Sequence, residues 1–212
     1  MMSEERQELV KKLIQKDYLK SEKVKNAFFE ISRENFVSKK DKNKAYIDTP
    51  IQIGSGQTIS APHMIAIMCE ELDLKPGQKV LEIGTGSGYH AAVVSKIIGK
   101  SGHVYSIERH ENLAEKAKIN IQKACIKNVS VEVGDGSRGL SKYQPYDRIY
   151  VTCAAPEIPK PLVDQLKDPG KLLIPVGRMF CELIRLEKKM GKTYTYNLCD
   201  CAFVPLIGKY GH

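Results

Sequence analysis

The chain has 212 residues, 42% apolar and 27% charged, enough to bury an ordinary core without disulfide or metal staples. Lys and Arg number 33 against 25 Asp and Glu, a net charge of +8, but the lysines are scattered and read as a solvated surface rather than a nucleic-acid face. No run approaches 18 apolar residues, and the first 20 are charged throughout, so neither a transmembrane helix nor a secretory leader is expected.

Ser3 stands where it can cap a first helix, in which Leu9, Val10, Leu13 and Ile14 recur at helical spacing. Ser21 takes the same place before a second helix carrying Val24, Ala27, Phe28 and Ile31. The stretch KDKNKAYIDTPIQIGSGQTISAP is rich in Gly, Pro, Asp, Asn and Ser and reads as a long irregular segment, a length that points to function. A third helix is predicted from Pro62, whose missing N–H costs little in a first turn, and Pro76-Gly77 closes it. Strands and helices then alternate: strand 79–84, helix 89–98, strand 103–108, helix 112–124, strands 129–134 and 147–153, a short helix at 161–166, and strand 171–177. Short β-branched runs alternating with helices specify an α/β fold, a mostly parallel sheet with helices on both faces. Near the C-terminus ELIRLEKK and TYTYNL flank Met190-Gly191-Lys192 as a hairpin, and CAFVPL reads as a last strand.

Six cysteines, at 69, 125, 153, 181, 199 and 201, fall mostly in apolar or periodic runs, where a free thiol packs as a small hydrophobe. With no leader expected, they read as reduced thiols of a cytoplasmic protein. Cys199-Asp200-Cys201 has no companion pair at zinc-finger spacing, so no metal is expected.

In an open α/β sheet, ligands collect at the carboxyl ends of the strands near the switch point. Three features fall there. Glu82-Ile83-Gly84-Thr85-Gly86-Ser87-Gly88 closes one strand and opens a helix; its glycines allow a tight turn and close approach to a ligand. The spacing is G-x-G-x-G, not the G-x-G-x-x-G of a dinucleotide site, which disfavours NAD. Glu108, at the next strand end, can accept both hydroxyls of a ribose or stand as a surface charge. Asp135, between Gly134 and Gly136, suits a turn and equally an acceptor for an adenine amino group. Together these ends describe a pocket for a nucleoside that needs no phosphate, the manner in which S-adenosylmethionine is held.

The segments Gly56-Gln57-Thr58-Ile59-Ser60-Ala61-Pro62-His63-Met64 and Val80-Leu81-Glu82-Ile83-Gly84-Thr85-Gly86-Ser87-Gly88-Tyr89 resemble the protein-L-isoaspartate O-methyltransferase family. Further matches run in order to the C-terminus: Ala45-Tyr46, Asp48, Pro50, Gly134-Asp135-Gly136, Tyr146-Asp147, Ala154-Ala155-Pro156, Ile174-Pro175-Val176-Gly177 and Phe203-Val204-Pro205-Leu206. The glycine loop marks only the broad methyltransferase class; the Thr58–His63 segment is the specific signal. Asp168-Pro169-Gly170-Lys171 departs from the family, which commonly has paired glycines there, and is expected to affect only the turn before a strand.

The resemblance implies a Rossmann-like S-adenosylmethionine-dependent fold and a repair reaction, methylation of the free α-carboxylate of isoaspartyl residues in damaged proteins and peptides. It implies Ser60 in the active site; Thr58, His63, Glu82, Gly84, Gly86, Gly88, Glu108, Asp135 and Gly136 toward the cofactor; and Ile59, Val204, Pro205 and Leu206 along the substrate backbone. Position alone also allows Ser60 to be a helix N-cap, and both roles are compatible, since a helix N-terminus attracts a carboxylate. The chain is expected to form one domain: a helical extension and loop over 1–60, the cofactor-binding core over 61–177, and a hairpin and strand over 178–212. A monomer without nucleic-acid or membrane partner is expected. Two other readings are an RNA methyltransferase, which the positive charge favours, and a nucleoside- or nucleic-acid-binding protein without catalysis.

Overall fold

Two amphipathic helices, α1 (Glu4–Gln15) and α2 (Glu22–Glu30), open the computed structural model, which describes residues 3–178 and 180–212. Ser3 caps α1 as expected, its hydroxyl accepting the Arg6 N–H at 3.4 Å. Ser21 occupies the N-cap of α2 but makes no cap bond. Instead Glu70 Oε1 accepts the N–H groups of Lys20 and Ser21, each at 2.9 Å, and so ties this corner to the third helix.

The stretch expected to be irregular is ordered. A 3₁₀ turn covers Lys39–Lys44, and β1 (Ile51–Gly54) pairs with β2 (Gln57–Ile59) in an antiparallel hairpin, Ile51 opposite Ile59. Helix α3 (Pro62–Glu71) follows with Pro62 in its first turn, and its N-cap is Ala61 rather than Ser60. The capping acceptor comes from elsewhere: Asp48 Oδ1 accepts both the His63 main-chain N–H and Nδ1, each at 2.9 Å. Ser60 is therefore not the cap.

The core is a seven-stranded sheet formed by β3 (Lys79–Ile83), β4 (His103–Glu108), β5 (Val129–Val133), β6 (Tyr146–Val151), β7 (Leu166–Gly177), β8 (Cys181–Lys189) and β9 (Lys192–Cys201). Its order is β5-β4-β3-β6-β7-β8-β9; the first five strands run parallel and β8 and β9 join antiparallel. Connections are made by α4 (Tyr89–Ile98), α5 (Glu111–Lys123) and α6 (Lys160–Gln165). Val80, Tyr150 and Leu173 face a core shared with α1 to α4 and Ile121 of α5. Their neighbours Leu81, Ile149 and Leu172 face the opposite side, with Leu162 of α6 and Leu206. Apolar side chains on both faces account for the consecutive apolar residues at the strand centres, such as Val80-Leu81, Ile149–Val151 and Leu172–Ile174.

Two C-terminal expectations need correction. CAFVPL is not a separate strand: β9 runs through Cys201, and beyond it only Pro205 bridges Ala154. The bridge uses the residues flanking Pro205, which has no N–H to give: Ala154 N donates to Val204 O at 2.8 Å and Leu206 N to Ala154 O at 2.7 Å. Asp168 reaches beyond its own turn, because β7 already includes it and its carboxylate accepts the N–H groups of Met190 and Gly191 at the tip of the β8–β9 hairpin.

Candidate active site

The sheet order turns back at β3, whose neighbours β4 and β6 lead in opposite directions, so a crevice opens at the carboxyl ends of these strands. The loop from β3 into α4 is held from both sides. Gly84 N donates to Ile107 O at 2.9 Å, and Thr152 Oγ1 donates to Gly84 O at 2.6 Å and Ile83 O at 3.1 Å. Gly84 has φ +93°, and a Cβ there would lie 2.4 Å from Thr152 Oγ1. Only glycine fits both demands.

Glu108 fastens the same loop from β4. Its Oε2 accepts the Gly86 N–H at 2.9 Å and its Oε1 the His110 N–H at 3.0 Å, with the residue 5% exposed. Each oxygen keeps a further lone pair for a ligand donor. Gly136 approaches closely as well: a Cβ on it would meet Ile83 Cγ2 at 2.5 Å.

These groups wall a cleft of about 530 Å³ including its open mouth. Of the residues proposed from sequence, the structure gathers Thr58, Gly84, Gly86, Glu108, Gly136, Val204, Pro205 and Leu206 around it. Gln57, Arg109, Thr152 and Cys153 also line it and were not anticipated. Thr152 and Cys153 directly follow β6, so the strand-end rule that singled out Glu82 and Glu108 applied to them too. Burial pushes the Cys153 thiol pKa well up, so it is an inert wall rather than a nucleophile.

The remaining expected residues lie outside this wall. Ile59 is buried in the core at the end of β2, and Gly88 is the N-cap of α4. Ser60 and His63 follow Thr58 along the chain; Ser60 is half-buried, and His63 is paired with Asp48 and packs near Tyr18, ring centroids 5.5 Å apart. Asp135 turns toward the C-terminal loop. Its carboxylate accepts the Ser137 N–H and hydroxyl at 3.0 and 2.6 Å, the Lys209 N–H at 2.9 Å and Arg138 Nε at 3.3 Å. Against burial, which would raise it, these bonds hold the carboxyl below its ordinary range.

Glu82 lies behind the glycine loop, fully buried, accepting the Tyr150 hydroxyl at 2.9 Å and the Ser106 hydroxyl. Ser106 in turn meets Thr85 Oγ1 at 2.5 Å, so the buried chain ends inside the loop. Burial raises the Glu82 carboxyl to about 8, overriding the two hydroxyl bonds that favour its ionised form.

The cleft thus offers backbone groups, one carboxylate with free acceptor capacity and apolar walls, a combination suited to a nucleoside and its ribose hydroxyls. Residues fit the cofactor: glycine positions leave space that a Cβ would fill, and Glu108 presents acceptors at the second strand end. A model of the family described as protein-L-isoaspartate(D-aspartate) O-methyltransferase matches residues 4–211. A protein-L-isoaspartate O-methyltransferase of Methanococcus aeolicus is 53% identical over 203 residues, 96% of this chain and 94% of that one. Another, of Methanothermobacter thermautotrophicus, is 50% identical over 213 residues, 99% of this chain and 98% of its own. The crystal structure of a beta-aspartate methyltransferase from Plasmodium falciparum, in complex with S-adenosyl-L-homocysteine, superposes with TM-score 0.85 at 29% identity, covering 94% of this chain and 97% of that one.

Proposed function

We propose, from the premise that the chain belongs to the protein-L-isoaspartate(D-aspartate) O-methyltransferase family, how its own residues carry out the family reaction. The enzyme transfers a methyl group from S-adenosylmethionine to the free α-carboxylate of L-isoaspartyl residues in proteins and peptides. The ester then leads through a succinimide back to Asp. The observation that carries the site reading is the cleft at the ends of β3, β4 and β6, where Glu108 and the glycine loop are tied together by the Gly86 N–H.

In this reading Glu108 would hold the ribose hydroxyls, and Gly84, Gly86 and Gly136 would shape the rest of the cofactor pocket. Thr58 and His63 stand toward the cofactor and Ser60 at the substrate carboxylate, and the Val204–Leu206 segment lies along the isoaspartyl main chain beside Ile59. The bound cofactor supplies an electrophilic methyl on a sulfonium that leaves as a neutral thioether. The chain needs no general base, because a carboxylate with an ordinary pKa near 4 is already ionised at neutral pH. What the residues contribute is alignment, worth up to about 7–11 kcal/mol in favourable intramolecular models. Ser60 donates its hydroxyl to one carboxylate oxygen and aims the other at the methyl carbon.

Glu108→Ala is expected to weaken S-adenosylmethionine binding at least tenfold by calorimetry. It removes charge-assisted bonds of about 1.5–3 kcal/mol each and releases the Gly86 N–H. Unchanged affinity would take Glu108 out of the site. The substrate is tested with two peptides that differ only in carrying Asp or isoaspartate at one flexible position. Their carboxylates are of similar acidity, so only geometry separates them, and misplacement by about 1 Å costs about a hundredfold in rate. Base-labile methyl ester is expected on the isoaspartyl peptide at least a hundredfold faster. Equal labelling of the two would overturn the assignment.

The proposal extends to a single domain over 1–212, with a helical extension and loop (1–60), cofactor core (61–177) and C-terminal hairpin (178–212), acting as a monomer in the cytoplasm without a nucleic-acid partner. The six cysteines, all unpaired, suit a reducing compartment. Among the described residues no helix is long and apolar enough to cross a membrane, and no group of His, Cys, Asp or Glu is arranged to hold a metal.

A further inference from the structure

Arg33 is the most deeply buried charged side chain away from the cleft, 0% exposed, at the start of a 3₁₀ turn over Arg33–Phe36. Its Nη2 donates to the main-chain oxygen of Ser60 at 2.8 Å, while Nε and Nη1 are buried without a partner. The guanidinium lies over the Tyr89 ring, 5.1 Å from its centroid, and Phe36 from the same turn meets that ring edge-on at 5.5 Å. Tyr89 is the first residue of α4, directly after the glycine loop. One cation therefore joins the N-terminal extension, the Ser60 peptide and the base of the cofactor loop.

Burying a guanidinium with two nitrogens unpaired is unfavourable for folding, and an apolar side chain of similar size is often neutral or better in such a place. Burial here pulls the Arg33 pKa down to about 10, with Tyr89 and Asp48 opposing the drop. The guanidinium supplies two things an apolar side chain would not, the contact over the Tyr89 ring and the bond to Ser60, and only the second reaches the Ser60 main-chain carbonyl. That carbonyl lies outside α3: the first helical N–H groups, of Met64 and Ile65, bond to Ala61 O, and Pro62 has no N–H to offer. With Ile59 held in β2 on the other side, fixing the peptide plane that follows Ser60 restricts the direction in which its Cα–Cβ bond points.

We propose that Arg33 is a positioning residue for the methyl-transfer step, holding the Ser60 main chain so that the Ser60 hydroxyl meets the substrate carboxylate in line. This rests on the assignment of Ser60 to the reaction. The test is a double-mutant cycle in the full-length protein with Arg33→Met, Ser60→Ala and the pair, measuring thermal unfolding, S-adenosylhomocysteine affinity, and kcat and KM on the isoaspartyl peptide. Arg33→Met is expected to melt within a few degrees of wild type and to bind S-adenosylhomocysteine within about threefold of wild type, yet to lose about ten- to hundredfold in kcat. In the Ser60→Ala background the same change is expected to cost less than about threefold more, because the group it positions is gone.

Wild-type kcat in Arg33→Met, or full additivity of the two losses, would overturn the role of Arg33 while leaving Ser60 in place. Undiminished kcat in Ser60→Ala alone would instead remove the assignment on which the inference stands. Should Arg33→Met not fold, Arg33→Lys serves in the same cycle: its single ammonium keeps the charge but not the planar fork, and the same non-additivity is expected.

Discussion

Gly84→Ala is expected to lower stability by about 2–4 kcal/mol and to weaken cofactor binding by about a hundredfold. Two costs combine. At φ +93° a side chain sits in a backbone region that L-residues rarely adopt, at a cost of about 1–3 kcal/mol. The new methyl would also lie 2.4 Å from Thr152 Oγ1, so that hydroxyl must swing away from Gly84 O and Ile83 O and lose the one hydrogen bond they share, worth about 1 kcal/mol. Binding suffers because the residue is itself part of the cleft wall, and a displaced Gly84 carries Gly86 and its bond to Glu108 with it. Thermal unfolding and calorimetry with S-adenosylhomocysteine measure the two effects. Thr152→Ala in the same chain is expected to return part of the affinity, since the next nearest atom is Thr152 Cβ at 3.7 Å. Wild-type affinity in Gly84→Ala would show that the loop's backbone path is not what the cofactor reads.

The parallel core was legible because its physics is local. Strands buried on both faces carry consecutive apolar residues, as Val80-Leu81 and Ile149–Val151 do, and glycine at a strand end followed by a helix marks the crevice. The segments that differed depend on partners distant in sequence. The acceptor for the start of α3 is Asp48, 15 residues before His63, so the residues around Ser60 gave no sign that the cap was supplied from outside. The hairpin of β1 and β2 has strands of only four and three residues, too short for alternation to register. Val204–Leu206 carries strand-like residues, but β9 has already used the sheet edge and Pro205 cannot continue a ladder.

The site divided along the same line. Glu108 and the Gly84–Gly86 loop were predictable, because a strand end and its turn specify where they stand. The Asp135 carboxylate takes its orientation from the Lys209 N–H arriving from the C-terminus, 74 residues away, which no local pattern conveys. Arg33 carried no signal at all: one Arg in a lysine-rich chain looks like surface until the fold encloses it.

Glu82 shows most directly what sequence could not convey, and its buried position gives a large pH effect on stability. The carboxyl has an ordinary value of 4.5 in the unfolded chain and about 8 in the folded one, because burial disfavours its charge. Below pH 4.5 it is protonated in both states and costs nothing. Between pH 4.5 and about 8 the folded protein holds a proton that the unfolded chain has released, so stability falls as pH rises, and above pH 8 the loss is complete. The full difference corresponds to roughly 5 kcal/mol. Glu82→Gln reproduces the protonated form, since its amide can donate to the Ser106 hydroxyl and accept from Tyr150, which bond the two carboxylate oxygens in the native protein. Wild type and Glu82→Gln are therefore expected to have equal urea midpoints at the acid end of this range. The variant should become steadily the more stable of the two up to about pH 8, and the gap should stay constant beyond it. Parallel stability curves across the whole range would mean that Glu82 stays ionised in the fold, balanced by its two hydroxyl donors, and that the glycine loop rests on a buried negative charge.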